Sequence, residues 1–217
     1  MNSRLGITLA QLKLKRSPSQ ILMTLALRRA LADCESILDV GCGTDATVRE
    51  LGVNRTTGLD AYPPSIEKAR ELKTHDELVL GDVRNLLKTF SPKSFDACIA
   101  MDVIEHLEKA DGFKLIAEME QIARKKVVFL TPSGFLPQGN TDADDYQRHY
   151  SGWEPAEMRS RGYQVFGLLG PKAWRGEYHR LKYKPSGFWA IASLATNAVW
   201  TGRQPEKAAA MLCVKHL

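Results

Sequence analysis

Hydrophobic positions along this chain form short apolar runs that alternate with stretches of helical spacing. Ser17 and Pro18 offer an N-cap and a first-turn proline. Ile21, Leu22, Leu25, Ala26 and Leu31 then recur at helical intervals to about Ala32. A further short helix is expected over 4–14. ILDV (37–40) reads as a buried strand running into a GCG turn. Beyond it the spacing predicts a helix over 45–51, a strand at TTGLD (56–60), a helix over 64–73 and a strand at ELVLGD (77–82). FDACIAM (95–101) and KVVFLTP (126–132) are further strands. Between them lies a helical stretch, 104–123, with a break expected at Asp111-Gly112.

Five strands separated by helices imply βαβ units and a mainly parallel sheet covered on both faces. After a polar loop, 133–150, the pattern predicts a helix over 154–161, a strand at YQVFGLLG (163–170) and a last strand at AMLCVKHL (210–217). The expected architecture is α/β, Rossmann-like and doubly wound, with seven strands. Residues 1–34 would form an N-terminal helical cap on a domain spanning 35–217, which carries a basic and apolar insertion at about 171–205. Within it SGFWAIASLATNAVW (186–200) fits the alternation poorly. It reads as a buried or dimer-forming helix, with an interfacial helix touching membrane as the second reading.

Composition narrows the class. At 217 residues with 44% hydrophobic and 25% charged residues, the chain can bury a full α/β core and is not of disordered type. Cys34, Cys42, Cys98 and Cys213 form no CxxC pair, which predicts neither a disulfide framework nor a metal site and suits a reducing, cytoplasmic setting. No export signal and no membrane-length apolar run is read. The net charge of +5 is uneven: residues 1–32 carry six Lys or Arg and no acid, and KAWRGEYHRLKYK (172–184) carries five. Solvated faces account for both, as would an anionic partner such as nucleic acid, a phosphorylated substrate or a membrane surface.

In an open parallel sheet, ligands bind at the carboxyl ends of the strands. There the first strand ends in Asp39-Val40-Gly41-Cys42-Gly43, a turn that lets a ligand approach the backbone. Asp60 closes the second strand, 19 residues past Gly41, where a carboxylate can accept from ribose hydroxyls. Asp82 closes the third strand, placed for an exocyclic amine, and Met101-Asp102 the fourth. GCGTDA also satisfies a dinucleotide fingerprint. A pyrophosphate, however, wants the positive end of a helix, and Asp39 and Asp45 bracket this loop with negative charge. A ligand bearing a sulfonium and an ammonium suits those acids better.

ILDVGCGTD resembles the first motif of class I S-adenosylmethionine-dependent methyltransferases. GLDAY, GDV, FDACIAMDVIEHLE and VVFLTPSG are similar to the later motifs of the branch that modifies small molecules, the methyltransferase type 11-like branch. The resemblance covers about 36–135, is looser over 150–170 and 208–217, and is absent over 1–30 and 171–205. It implies S-adenosyl-L-methionine as cofactor, with Asp39 near its ammonium side, Gly41 and Gly43 lining it, Asp60 on ribose, and Asp82 with Val83 at adenine. Cys42, Ala61 and Met101 complete the expected set. One departure is Asp45, where the family often has glycine.

A general base is needed only if the acceptor must lose a proton. His106, at a helix start after the fourth strand, is the first candidate. The loop DADDYQRHYSGW (142–153), with Tyr146 and His149, is the second region. The expected reaction is methyl transfer to an O or N of a small-molecule or carrier-linked acceptor. An RNA methyltransferase and a non-catalytic module of the same fold stay open as alternatives, as does a peripheral membrane contact through 172–200.

Overall fold

A computed structural model describes residues 18–137 and 148–217. Seven strands form one sheet in the order β3-β2-β1-β4-β5-β7-β6: β1 (Ser36–Val40), β2 (Arg55–Asp60), β3 (Glu77–Leu80), β4 (Phe95–Met101), β5 (Ala123–Pro132), β6 (Gln164–Pro171) and β7 (Ala208–His216). Strands β1 to β5 pair in parallel, and β7 runs antiparallel between β5 and β6. The chain order reverses at β1, which places the crevice between the carboxyl ends of β1 and β4 at the switch point of the sheet. This is the α/β, Rossmann-like, mostly parallel seven-stranded fold that the alternation predicts.

Both sheet faces are buried, as parallel strands require. On one face α4 (Lys109–Ile122) sets Leu115, Ile116, Met119 and Ile122 against Leu38, Cys98, Val127 and Phe129. On the other, α1 (Pro18–Ala30) brings Leu27 over Ile37, Ile99 and Val128. All four cysteines are free and buried. The helix expected over 4–14 lies outside the described residues.

Three expectations are corrected. The helix expected over 45–51 is only a 3-10 turn, Val48–Leu51, because the Asp45 carboxylate accepts from both the backbone N–H and the hydroxyl of Thr47, each at 2.7 Å. That local bond competes with a helical start. The break expected at Asp111-Gly112 is absent. A 3-10 turn, Ile104–His106, is followed by an extended Leu107-Glu108 step, and α4 then runs unbroken through Gly112. That glycine serves packing: a Cβ there would lie 2.4 Å from Trp153 Cζ2.

The third correction concerns 186–200, read as a buried or dimer-forming helix: within this chain it is not buried. It forms α6 (Ser186–Thr196), after the shorter α2 (Pro63–Leu72), α3 (Leu86–Thr89) and α5 (Pro155–Ser160), and continues as a π-turn, Asn197–Thr201. The segment packs on the edge strand β6 through two glycines. A Cβ at Gly167 would lie 1.9 Å from Thr201 O, and one at Gly170 would lie 2.8 Å from Ser193 Cβ. Gly170 N–H also donates to Asn197 Oδ1. Its outer face leaves Phe188, Ile191 and Val199 more than 60% exposed. Among the described residues, only one side of the helix therefore has a covering.

Candidate active site

The glycine loop is a consequence of crowding at the end of β1. Gly41 takes φ 69°, and a Cβ on it would lie 2.6 Å from Val103 Cγ2. Only glycine suits both constraints. The Gly41 and Cys42 N–H groups both donate to Leu59 O, and Gly43 N–H donates to Asp60 Oδ2 at 2.8 Å. The other Asp60 oxygen accepts from Tyr62 N–H. Asp60 thus ties the loop to the end of β2 while lining the cavity above it. No α-helix begins behind this loop, so the positive helix end that a pyrophosphate uses is missing here.

Beneath the loop, His75 Nε2 lies 3.1 Å from Asp39 Oδ2, and Thr74 Oγ1 lies 2.9 Å from His75 Nδ1. Burial pushes the Asp39 carboxyl above its ordinary range, against the pull of His75. Its second oxygen, Oδ1, is buried without a hydrogen-bond partner among the described residues. An unpaired buried carboxylate oxygen is costly and suits a site completed by a cationic or N–H-bearing ligand.

A cavity of about 940 Å³ opens along the carboxyl ends of β1, β2, β3 and β4. At one end Gly41, Gly43, Asp60, Ala61, Asp82 and Val83 line it. Asp82 takes a bidentate hydrogen bond from the Arg84 guanidinium, which holds its carboxyl below the usual range. In the middle stands Asp102, a non-glycine residue in the left-handed region (φ 53°). Burial, with Asp45 adding to it, raises its carboxyl to about 6.

The far end carries Glu105, His106, His149 and His179. Glu105 is buried and accepts from Thr131 Oγ1 at 3.0 Å; burial, then Asp102, pushes its carboxyl well up. His106 Nδ1 lies 3.0 Å from Arg148 O, and His149 Nδ1 lies 2.7 Å from Leu136 O. A carbonyl only accepts, so both Nδ1 atoms carry the proton, and in the neutral ring each Nε2 keeps its lone pair. Burial lowers both imidazoles' pKa values, which favours that neutral form. The two rings meet edge to face with centroids 4.8 Å apart.

The basic segment also reaches this end. Arg175, buried and bonded to Leu169 O and His179 O, pins a tight turn in which Tyr178 and His179 both take left-handed backbone angles and line the cavity. Burial, then Arg175, lowers His179 to about 4.

Of the residues singled out from sequence, Gly41, Gly43, Asp60, Ala61, Asp82, Val83, His106 and His149 line this cavity. Asp39 lies buried outside that lining. Cys42 and Met101 face instead a smaller cavity of about 250 Å³ behind the loop, with Met23, Thr44 and Asp45. Tyr146 falls outside the described residues. His75, Tyr178 and His179 were not foreseen, since nothing in their local sequence distinguishes them.

Residues 38–131 match the family described as methyltransferase domain. Two curated relatives are an 18S rRNA (guanine-N(7))-methyltransferase of Bos taurus and a mitochondrial ubiquinone biosynthesis O-methyltransferase of Schizosaccharomyces pombe. The first is 31% identical over 77 residues, 35% of this chain and 27% of the relative. The second is 30% identical over 95 residues, 41% and 34%. The chain thus matches about a third or less of the length of these relatives. A solved SAM-dependent methyltransferase of Archaeoglobus fulgidus shares the fold, with TM-score 0.58, 17% identity and coverage of 92% of this chain and 95% of that one. The domain match falls on β1 to β5, the strands whose ends build the cavity, and over these residues the chain carries a methyltransferase domain.

Proposed function

We propose that the protein is a methyltransferase that binds S-adenosyl-L-methionine and methylates an O or N of a small-molecule or carrier-linked acceptor. The observation that carries this is one continuous cavity. It joins the glycine loop and the acids Asp60 and Asp82 to a second end lined by Glu105, His106 and His149. The acids fit a cationic ligand. Asp60 would accept from ribose hydroxyls with its remaining lone pairs, and Asp82, with Val83 beside it, would meet the adenine. Asp39, Cys42 and Met101 would act from behind the loop, where they shape it. When bound, the cofactor supplies an activated methyl group on a sulfonium.

The chain's own part is to hold an acceptor in line with that methyl and to exclude water. His106 and His149 present unprotonated Nε2 atoms that can take an acceptor proton directly. Tyr146 joins them in this proposal only through its place in the loop sequence.

A small acceptor is favoured over RNA by the lining. Among the described residues it contains no lysine, and its one arginine, Arg84, is engaged by Asp82. The non-catalytic reading rested on Asp45. That side chain is turned into its bond with Thr47 and is not part of the large cavity's lining, which supports a working site.

A peripheral contact with an anionic membrane surface is proposed for 172–200. The exposed apolar face of α6 is flanked by exposed Lys182 and Lys184 on one side and Arg203 on the other. No helix among the described residues is long and apolar enough to cross a membrane.

The test of the catalytic proposal is calorimetric titration with S-adenosylhomocysteine, with NADH alongside and Asp60→Asn and Asp60→Ala as variants. Micromolar binding of the thioether, weakened at least tenfold in folded Asp60→Ala, is the expected result. Binding of NADH in its place would overturn it.

A further inference from the structure

Three side chains at the acceptor end have an arrangement that proton transfer does not require. Glu105, His106 and His149 each offer one ligand atom, and these atoms lie within 4.8 Å of one another. Glu105 and His106 are adjacent in the 3-10 turn after β4, whereas His149 arrives from a segment more than 40 residues further on. Two backbone bonds hold the two segments together: the N–H groups of Tyr150 and Ser151 both donate to Glu105 O. Ser151 Oγ adds a third bond, to Ile104 O. The cluster is therefore built and is not a chance meeting of mobile surface groups.

We propose that Glu105, His106 and His149 form a divalent-cation site, taking an ion of the Mn²⁺ to Zn²⁺ series at the acceptor end of the cavity. The inference rests on the methyltransferase reading only for its role, not for its existence. Both histidines already show the outer arrangement that metal-ligating imidazoles adopt, with Nδ1–H donated to a main-chain carbonyl and Nε2 without a hydrogen-bond partner among the described residues. Two imidazoles and one carboxylate leave coordination positions open, which distinguishes a catalytic from a closed structural site. Glu105 is buried, and its carboxyl group is met among the described residues by the neutral Thr131 hydroxyl, so a cation could occupy its remaining acceptor capacity.

Ligand distances of about 2.0–2.2 Å would require the three ligand atoms to close to roughly 3–3.5 Å from one another. That is a movement of about 1 Å, within the reach of side-chain rotation for His106, which is half-exposed. A cation here would bind an acceptor oxygen in one of the open positions and lower its pKa, the released proton passing to water. In that case His106 and His149 are ligands and not bases. The acceptor class narrows to small molecules with a hydroxyl free to meet the ion, such as a catechol-like or vicinal diol group that can chelate it.

The experiment uses untagged, chelator-treated full-length protein, titrated with Mn²⁺ followed by electron spin resonance and with Zn²⁺ by calorimetry. One ion per chain at micromolar concentration is expected. Binding should weaken at least tenfold in His106→Ala and His149→Ala, and should stay unchanged in His216→Ala, which alters an exposed histidine at the end of β7. Because His149→Ala also removes the bond to Leu136 O, His149→Asn, which can keep a donor toward that carbonyl, serves as the folded second variant, and circular dichroism checks each. Absence of binding in the unaltered protein, or binding that neither His106 nor His149 variants weaken, would overturn the site. Thioether titration of the same samples reports on the cofactor end alone, so failure of either reading is seen separately.

Discussion

His75 Nε2 and Asp39 Oδ2 meet at 3.1 Å beneath the glycine loop, with both side chains withdrawn from solvent. The pair links the end of β1 to the segment just before β3, and it supports the floor on which the cofactor end rests. Removing one member of such a buried pair leaves the other's polar atom unsatisfied, at a cost of about 1–3 kcal/mol. His75→Ala should therefore lower the urea midpoint strongly and weaken thioether binding. Asp39→Asn should cost less in stability, because the amide still accepts from the imidazole. A His75→Ala protein with an unchanged midpoint would remove the pair from the account.

Gly41→Ala meets two obstacles at once, the left-handed backbone and the Val103 side chain 2.6 Å from the new methyl. A loss of about 1–3 kcal/mol is expected from the strained backbone, with more from the displaced valine. Thioether affinity should fall with it. The double variant Gly41→Ala, Val103→Ala should recover part of the stability, measured by thermal unfolding.

Gly112→Ala tests a different contact. The added methyl would press on Trp153, a fully buried ring that Lys109 Nζ caps at 3.7 Å. Overpacking should cost about 1–3 kcal/mol. Since Trp153 follows the segment carrying His149, tryptophan fluorescence should shift and acceptor turnover should fall. Thioether binding at the other end of the cavity should change little.

Acid should also weaken the opposite edge of the sheet. Burial alone would raise Asp96, but Glu35 N–H at 2.8 Å and the Arg124 guanidinium at 2.9 Å outweigh it and hold the carboxyl below 3.8. A depressed folded value means the contribution is fully present above the unfolded pKa of about 3.9 and is lost as pH falls through the lower folded value. Unfolding followed from pH 6 to pH 2 should show a stability decline in the acid range. Asp96→Asn should flatten that part of the curve while lowering the plateau.

Phe188, Ile191, Val199 and Trp200 form an exposed apolar face beside Lys182, Lys184 and Arg203. Co-sedimentation with anionic vesicles is expected, falling with rising salt and with Phe188→Ser combined with Trp200→Ser. Vesicle binding that ignores both changes would discard the surface, and a salt-independent dimer on sizing would reassign it to self-association.

Much of this protein could be read without coordinates. The strands 37–40, 95–101 and 126–132 announce themselves because parallel strands buried on both faces are largely apolar, so local composition carries the signal. The acids and glycines at their ends were legible for the same reason: a parallel sheet sends every strand terminus to one edge. Asp60, Asp82 and Gly41 could thus be grouped from sequence order alone.

The tertiary structure decided what depends on distant segments meeting. Asp111-Gly112 looks like a break locally, yet it lies in the first turn of α4, where Trp153 occupies the space a side chain would fill. The apolar run 186–200 looks buried, yet one face is exposed, since composition does not say how many neighbours a helix will have. His75 reaches Asp39, and His149 reaches Glu105 and His106, across 36 and more than 40 residues. A single histidine carries no local mark of its partner. Only the closed chain, with its loop entropy already overcome by the packed sheet, fixes which histidine faces which carboxylate.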